Sequence, residues 1–157
     1  MGERAKALAD AGQKAFDEFT ATVEGLSDAQ WRATCAGEGW TAGVTARHVA
    51  QAPAFTLGLA QAVANSQPLP PITLDIRDQR NAEHATEHAN CSKDEVLGII
   101  RQNAPNVVSA IRGFSDEQLD RSAHFAAMGR DMTAQQVIEM IVIGHVQQHL
   151  GSIKAAG

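Results

Sequence analysis

Apolar residues recur along this chain at every third or fourth position, in runs set apart by Gly, Pro and Ser or Thr. That spacing marks helices with one buried stripe each. The first run, Leu8, Ala11, Ala15, Phe16, Phe19, Val23 and Leu26, predicts a helix over 3–25 that Gly25 ends. Ser27 with Gln30 is a capping-box pair that opens a short turn leading to Trp31. The stretch CAGEGW reads as loop from its glycines. A second helix is predicted from near Thr41 to about Asn65, with Val44, His48, Ala52, Phe55, Leu59 and Val63 on one face. Pro53 inside it predicts a kink or relaxed hydrogen bonding. SQPLPP then breaks the helix. A proline-rich stretch of this kind is stiff and extended, which suits a long crossover better than a tight hairpin.

Residues 73–90 are polar with weak periodicity and are predicted to be helical. Ser92 and Glu95 form a capping box for a third major helix that runs to about Arg112 and ends at Gly113. Val96, Ile99, Ile100, Val107, Val108 and Ile111 supply its core face, and Pro105 predicts a bend. Ser115 with Gln118 caps a short turn, and Thr133 with Gln136 caps a last helix over about 134–155. No segment alternates with a convincing period of two, so strands are not expected. The fold class predicted is all-α.

Length and composition narrow the picture. The 157 residues fit one domain, 1–157, large enough for a hydrophobic core without disulfides. Hydrophobic residues make up 44% of the chain, which argues against disorder. The net charge of −5 comes with no basic stripe, so neither nucleic acid nor a membrane surface is an expected partner. No run approaches the roughly 20 apolar residues that span a bilayer, and the charged N-terminus is unlike a signal peptide. The expected location is the cytoplasm. Cys35 and Cys91 form no CxxC pair and are expected to be free thiols there.

The candidate chemistry lies in the histidines: 48, 84, 88, 124, 145 and 149. The pairs 84/88 and 145/149 have HxxxH spacing, which puts both rings on one helix face about 6 Å apart in rise. The ridge Val137, Ile141 continues at steps of four into His145 and His149, so this pair extends a core-facing row. Burying two imidazoles there is costly unless something satisfies them, and a metal ion does so. Gly144 leaves room for a close neighbour. His48 holds a core step between Val44 and Ala52 and would complete three ligands if its helix lies beside the last one. The competing pair, His84 and His88, has Glu83 and Glu87 around it and no apolar ridge, which reads as a solvated face. His124 reads as a surface residue or as a lid over the site.

The segment GWTAGVTARHVA (39–50), the segment MGRDMTAQQVIEMIVIGHVQQHLGSI (128–153) and the capping box SKDEV together resemble the DinB-like superfamily, the DinB/YfiT-like metalloenzymes. The resemblance covers essentially the whole chain. It implies a four-helix bundle with a long crossover between its second and third helices. It also implies metal ligands at His48, His145 and His149, a homodimer, and similarity to transferases and isomerases that use mycothiol, bacillithiol or glutathione-like thiols. The function expected is therefore a divalent-metal-dependent enzyme acting on a small molecule, such as a thiol-dependent S-transferase. A metal-assisted hydrolase and a non-catalytic metal-binding stress-response module are the alternatives. Zinc or nickel suits three imidazoles. Arg47, Arg80 and Arg130 are candidates to hold a thiol's carboxylates, and Trp31 and Trp40 to line a pocket. Glu139, Gln147 and Gln148 are candidate partners for the ligands' outer ring nitrogens.

Overall fold

The computed structural model describes residues 2–157. Four long helical units carry the fold: α1 (Glu3–Gly25), α3 (Ala42–Ala64), α5 (Lys93–Arg112) and a last helix that ends in α8 (Gly144–Ala155). Short helices α2 (Asp28–Arg32) and α6 (Asp116–Asp120) sit in the connections, and α4 (Leu74–Glu87) lies in the crossover between α3 and α5. This is a four-helix bundle. Both α1 and α3 pack against α5 and against the last helix, so α1 and α3 stand diagonally. The proline-rich stretch and α4 together make the long connection from α3 to α5.

The caps start these helices where the sequence places them. Thr41, Ser92 and Thr133 each accept a hydrogen bond from the backbone N–H three residues on, and Ser27, Ser115 and Thr133 form complete capping boxes. Both α3 and α5 continue through Pro53 and Pro105.

The core stripes agree with expectation on α5, where Val96, Leu97, Ile100, Ala104, Val107, Val108 and Ile111 are buried. On α1, Gly12 is buried and Ala11 is exposed. On α3, Val44 and Val63 of the expected stripe are buried, but between them the stripe is displaced. Its buried row is Ala46, Val49, Ala50, Pro53, Leu57 and Ala60, while Phe55 is 49% exposed. Small residues make that row, so α3 approaches its neighbours closely, and a pattern weighted towards bulky side chains picks the adjacent ridge instead. Tight packing is plain at Gly43: a Cβ there would stand 2.6 Å from the Trp31 ring. That ring is fixed by its N–H, which donates to the Cys91 carbonyl at 3.2 Å.

Two expectations fail in the last third. A two-stranded antiparallel hairpin, β1 (Ser122–Phe125) with β2 (Arg130–Thr133), precedes the last helix. Each strand has four residues, too few to show a period of two, and the turn closes through Gly129 at φ +64°. The last helix is also not uniform. After a three-residue α7 (Ala134–Gln136), the stretch Val137–Ile143 is π-helical, and α8 follows directly. Gly144 sits at the junction, where its N–H donates to the Glu139 carbonyl five residues back. A Cβ at Gly144 would lie 3.0 Å from that carbonyl oxygen. The neighbour for which Gly144 leaves room is thus its own helix. No helix among the described residues is long and apolar enough to cross a membrane.

Candidate metal centre

The π-helical stretch decides where the two histidines of α8 point. A π turn takes up one more residue than an α turn, so the face of the helix rotates by about 100° across it. The buried row Ala134, Ile138, Val142, Val146 and Leu150 runs through the stretch at steps of four, with Ile153 after it, because the extra residue keeps that spacing on one face. His145 and His149 therefore lie on the flank of the core face, half-buried, rather than in its centre. His48 lies on the corresponding flank of α3, beside the row of small residues. Since α3 packs on both the π stretch and α8, the two flanks face each other.

The three imidazoles meet there. His48 Nε2 is 2.9 Å from His145 Nε2, which is 3.1 Å from His149 Nε2. The donor atoms of all three lie within 4.8 Å of one another. The Trp40 ring packs edge-on against His48 at 5.4 Å between centroids. Glu38 reaches in from the loop before α3, its Oε1 accepting from His149 Nδ1 at 2.9 Å, with both side chains nearly enclosed. The loop is stiff enough to present it. Cys35 N–H donates to the Trp40 carbonyl, Gly39 N–H to the Cys35 carbonyl, and Ala42 N–H to the Ala33 carbonyl. Gly39 turns the chain at φ +73°, a region where a side chain is disfavoured.

Hydrogen bonding alone leaves this cluster unsatisfied. Burial acts to raise the Glu38 pKa, but hydrogen bonds to the carboxylate, foremost from His149, outweigh it and hold the group below its ordinary 4.5. An ionised carboxylate only accepts, so His149 carries its proton on Nδ1 and directs a lone pair from Nε2. His145 Nε2 then contacts two nitrogens with at most one proton to offer. A cation accepting all three lone pairs satisfies every nitrogen at once, as three-imidazole sites do. The residues present therefore fit a divalent ion with one or more coordination positions open. The free carboxylate oxygen Glu38 Oε2 is buried without a hydrogen-bond partner, so the pair is held by one bond.

Both buried imidazoles favour the neutral, lone-pair form. Burial, then the neighbouring His145, His149 and His84, push His48 from 6.5 down to about 3; burial, then His149, push His145 down to about 4. The sign for stability follows. The unfolded chain takes up these protons near pH 6.5 and the folded chain only near 4 and 3, so acid favours unfolding. Metal-free protein is expected to lose stability steadily as pH falls from about 6.5 towards 4. Urea midpoints of chelator-treated protein between pH 7 and pH 4 measure this, and a flat profile would contradict it.

The other expected site residues divide. His84, expected on a solvated face, instead packs against the centre at 5.5 Å from the His48 ring, with His88 beside it at 4.8 Å. His124 is exposed on β1, hydrogen-bonded to Asp131, and is a surface residue. Arg47 borders the site: its side chain is 13% exposed, bonded to Glu95 and Gln51, and its charge acts on His84. Arg80 is exposed, as is Arg130, which contacts the Met140 sulfur. Glu139, Gln147 and Gln148 are exposed, so none is the partner of an outer ring nitrogen in the cluster. Glu38 holds that place. Its one signal in the sequence is that it is the sole acidic residue between Ala33 and His48. Cys35 and Cys91 are free thiols, with burial the first cause raising the pKa of each.

A sequence profile described as the DinB superfamily matches residues 11–153. No curated protein matches the chain in sequence. YfiT from Bacillus subtilis, described as a probable metal-dependent hydrolase with an unusual four-helix bundle topology, has a similar structure. Its TM-score is 0.79 at 13% identity, over 99% of this chain and 87% of that one. A mycothiol-dependent maleylpyruvate isomerase gives a TM-score of 0.74 at 15% identity, over 98% of this chain but only 63% of the isomerase. At these identities the likeness is one of fold.

Proposed function

The chain belongs to the DinB superfamily, and we propose that it is a divalent-metal-dependent enzyme whose ion is held by His48, His145 and His149. The observation that carries the proposal is the convergence of three Nε2 atoms, one of them oriented from behind by Glu38. When bound, the ion supplies Lewis acidity that lowers the pKa of a thiol or water in the site. Zinc and nickel both suit the donor set. The chain's own residues do the rest. Glu38 fixes the His149 tautomer, and Trp40 covers one side of His48.

The reaction we favour is transfer of a low-molecular-weight thiol to a small electrophilic substrate. Its support is the fold shared with a mycothiol-dependent enzyme, together with the Arg47 charge at the rim. Metal-assisted hydrolysis is the second reading, supported by the more complete match to YfiT. One experiment separates them. Protein loaded with Zn²⁺ or Ni²⁺ and then dialysed should retain one ion per chain by elemental analysis. The loaded protein is then offered glutathione-like thiols with electrophiles, and separately ester and amide substrates. Conjugation supports the transferase, and cleavage without conjugation supports the hydrolase. Absence of bound metal after loading removes both.

A further inference from the structure

The crossover helix α4 has no fully buried residue. Its Leu74 and Ile76 are 49% and 37% exposed, so no apolar stripe fixes it to the bundle. What it directs inward is His84, half-buried, within 5.5 Å of the His48 ring and 6.4 Å of the Trp40 ring, centroid to centroid. Both ring nitrogens of His84 are shut off from solvent and neither has a hydrogen-bond partner. An imidazole so placed forfeits the hydrogen bonds that water would give it, which is costly for each unsatisfied group. Such a group calls for an explanation.

Two ordinary explanations do not fit. His84 is not one of the converging ligands, for its nitrogens fall outside the group whose donor atoms lie within 4.8 Å of each other. It is not core filler either, because α4 contributes nothing to the core and the ring packs against other imidazoles and an indole. What the position does offer is a polar group against the His48 edge of the three-histidine cluster, on an element that other side chains hold only loosely.

We propose that His84 is a ligand-binding residue: it hydrogen-bonds the exogenous anionic group, a thiolate or a small inorganic anion, that joins the three-histidine centre. This rests on the metal reading above. The neutral ring brings one N–H donor, and a hydrogen bond to a charged acceptor is stronger than one to a neutral acceptor. The bond also ties α4 to the occupied centre, so the crossover is ordered by what binds there.

Cobalt(II) as the probe metal and azide as the probe anion test this without any assay of activity. The visible absorption of Co²⁺ reports its uptake, and its change on adding azide reports anion binding. Wild type, His84→Phe and His84→Gln are titrated with both, after their melting curves confirm that each is folded. Expected is Co²⁺ uptake within threefold of wild type in both variants. Azide affinity should be at least tenfold weaker in His84→Phe, with partial recovery in His84→Gln, whose amide still donates. Equal azide affinity in all three overturns the proposal while leaving the metal reading intact. Loss of Co²⁺ by more than tenfold in His84→Phe also overturns it, since His84 would then be a metal ligand. Failure of the wild type to take up Co²⁺ removes the metal reading and this inference with it.

Discussion

Replacing His145 by Ala should abolish the rise in melting temperature that Zn²⁺ or Ni²⁺ gives the wild-type protein. A ligand that binds only the folded chain stabilises it by RT ln(1 + [L]/Kd), about 2.7 kcal/mol at a hundredfold excess over Kd. For a domain of this size that is a rise of roughly 5–10 °C. His145 is the central member of the triad, within 2.9 Å and 3.1 Å of the other two Nε2 atoms. Without it the remaining pair lacks the bridging donor, so affinity should fall further than the 10–100-fold that loss of an outer partner costs. Melting curves of both proteins, with chelator and with excess metal, separate this from any effect on folding, because only the metal-induced difference counts. An unchanged difference in the variant would mean that the ion sits elsewhere.

Glu38→Ala is the second large effect expected: metal affinity about 10–100-fold weaker, with wild-type stoichiometry kept at saturating metal. The carboxylate touches no donor atom of the centre, yet it selects the tautomer of His149 that leaves Nε2 free. Glu38→Gln retains an oxygen that accepts from Nδ1 but removes the charge, so its affinity should lie between the two. Competition titration against a chromophoric chelator measures all three proteins. If Glu38→Ala binds as tightly as wild type, the loop before α3 has no part in the site.

The helices were legible because their ends are written in side chains. Thr41, Ser92 and Thr133 are capping residues in the sequence and in the structure, and each acts through a bond of local range. The proline-rich crossover was legible for the same reason. The clustering of His145 and His149 beside the core was readable from their four-residue spacing, whereas His48 as a third member came mainly from the family resemblance. Val137, Ile141, His145 and His149 do run beside the buried row Ile138, Val142, Val146 and Leu150, and the π stretch keeps rows spaced by four in line. The histidines do face a partner, but from the flank of the core. Nothing in VIEMIVI signals a π turn, since all its residues suit either helix. Glu38 and His84 were missed because their roles depend on tertiary approach. A carboxylate in a glycine loop and a histidine on a polar helix both read as solvated until the bundle brings them to the same histidine cluster.

The π stretch also bears on how this chain should be aligned with others. It makes the last helix two rulers joined out of step, with the 3.6-residue phase before Val137 offset by one residue from the phase after Ile143. An alignment that runs ungapped through Val137–Ile143 against a relative with a plain α-helix would pair residues on different faces, even where both ends match in composition. Gaining or losing one residue in this stretch would switch between the two phases, turning His145 and His149 towards or away from α3 while leaving both in the sequence. In this bundle, the count of residues between a cap and a histidine is as much a part of the site as the histidine itself.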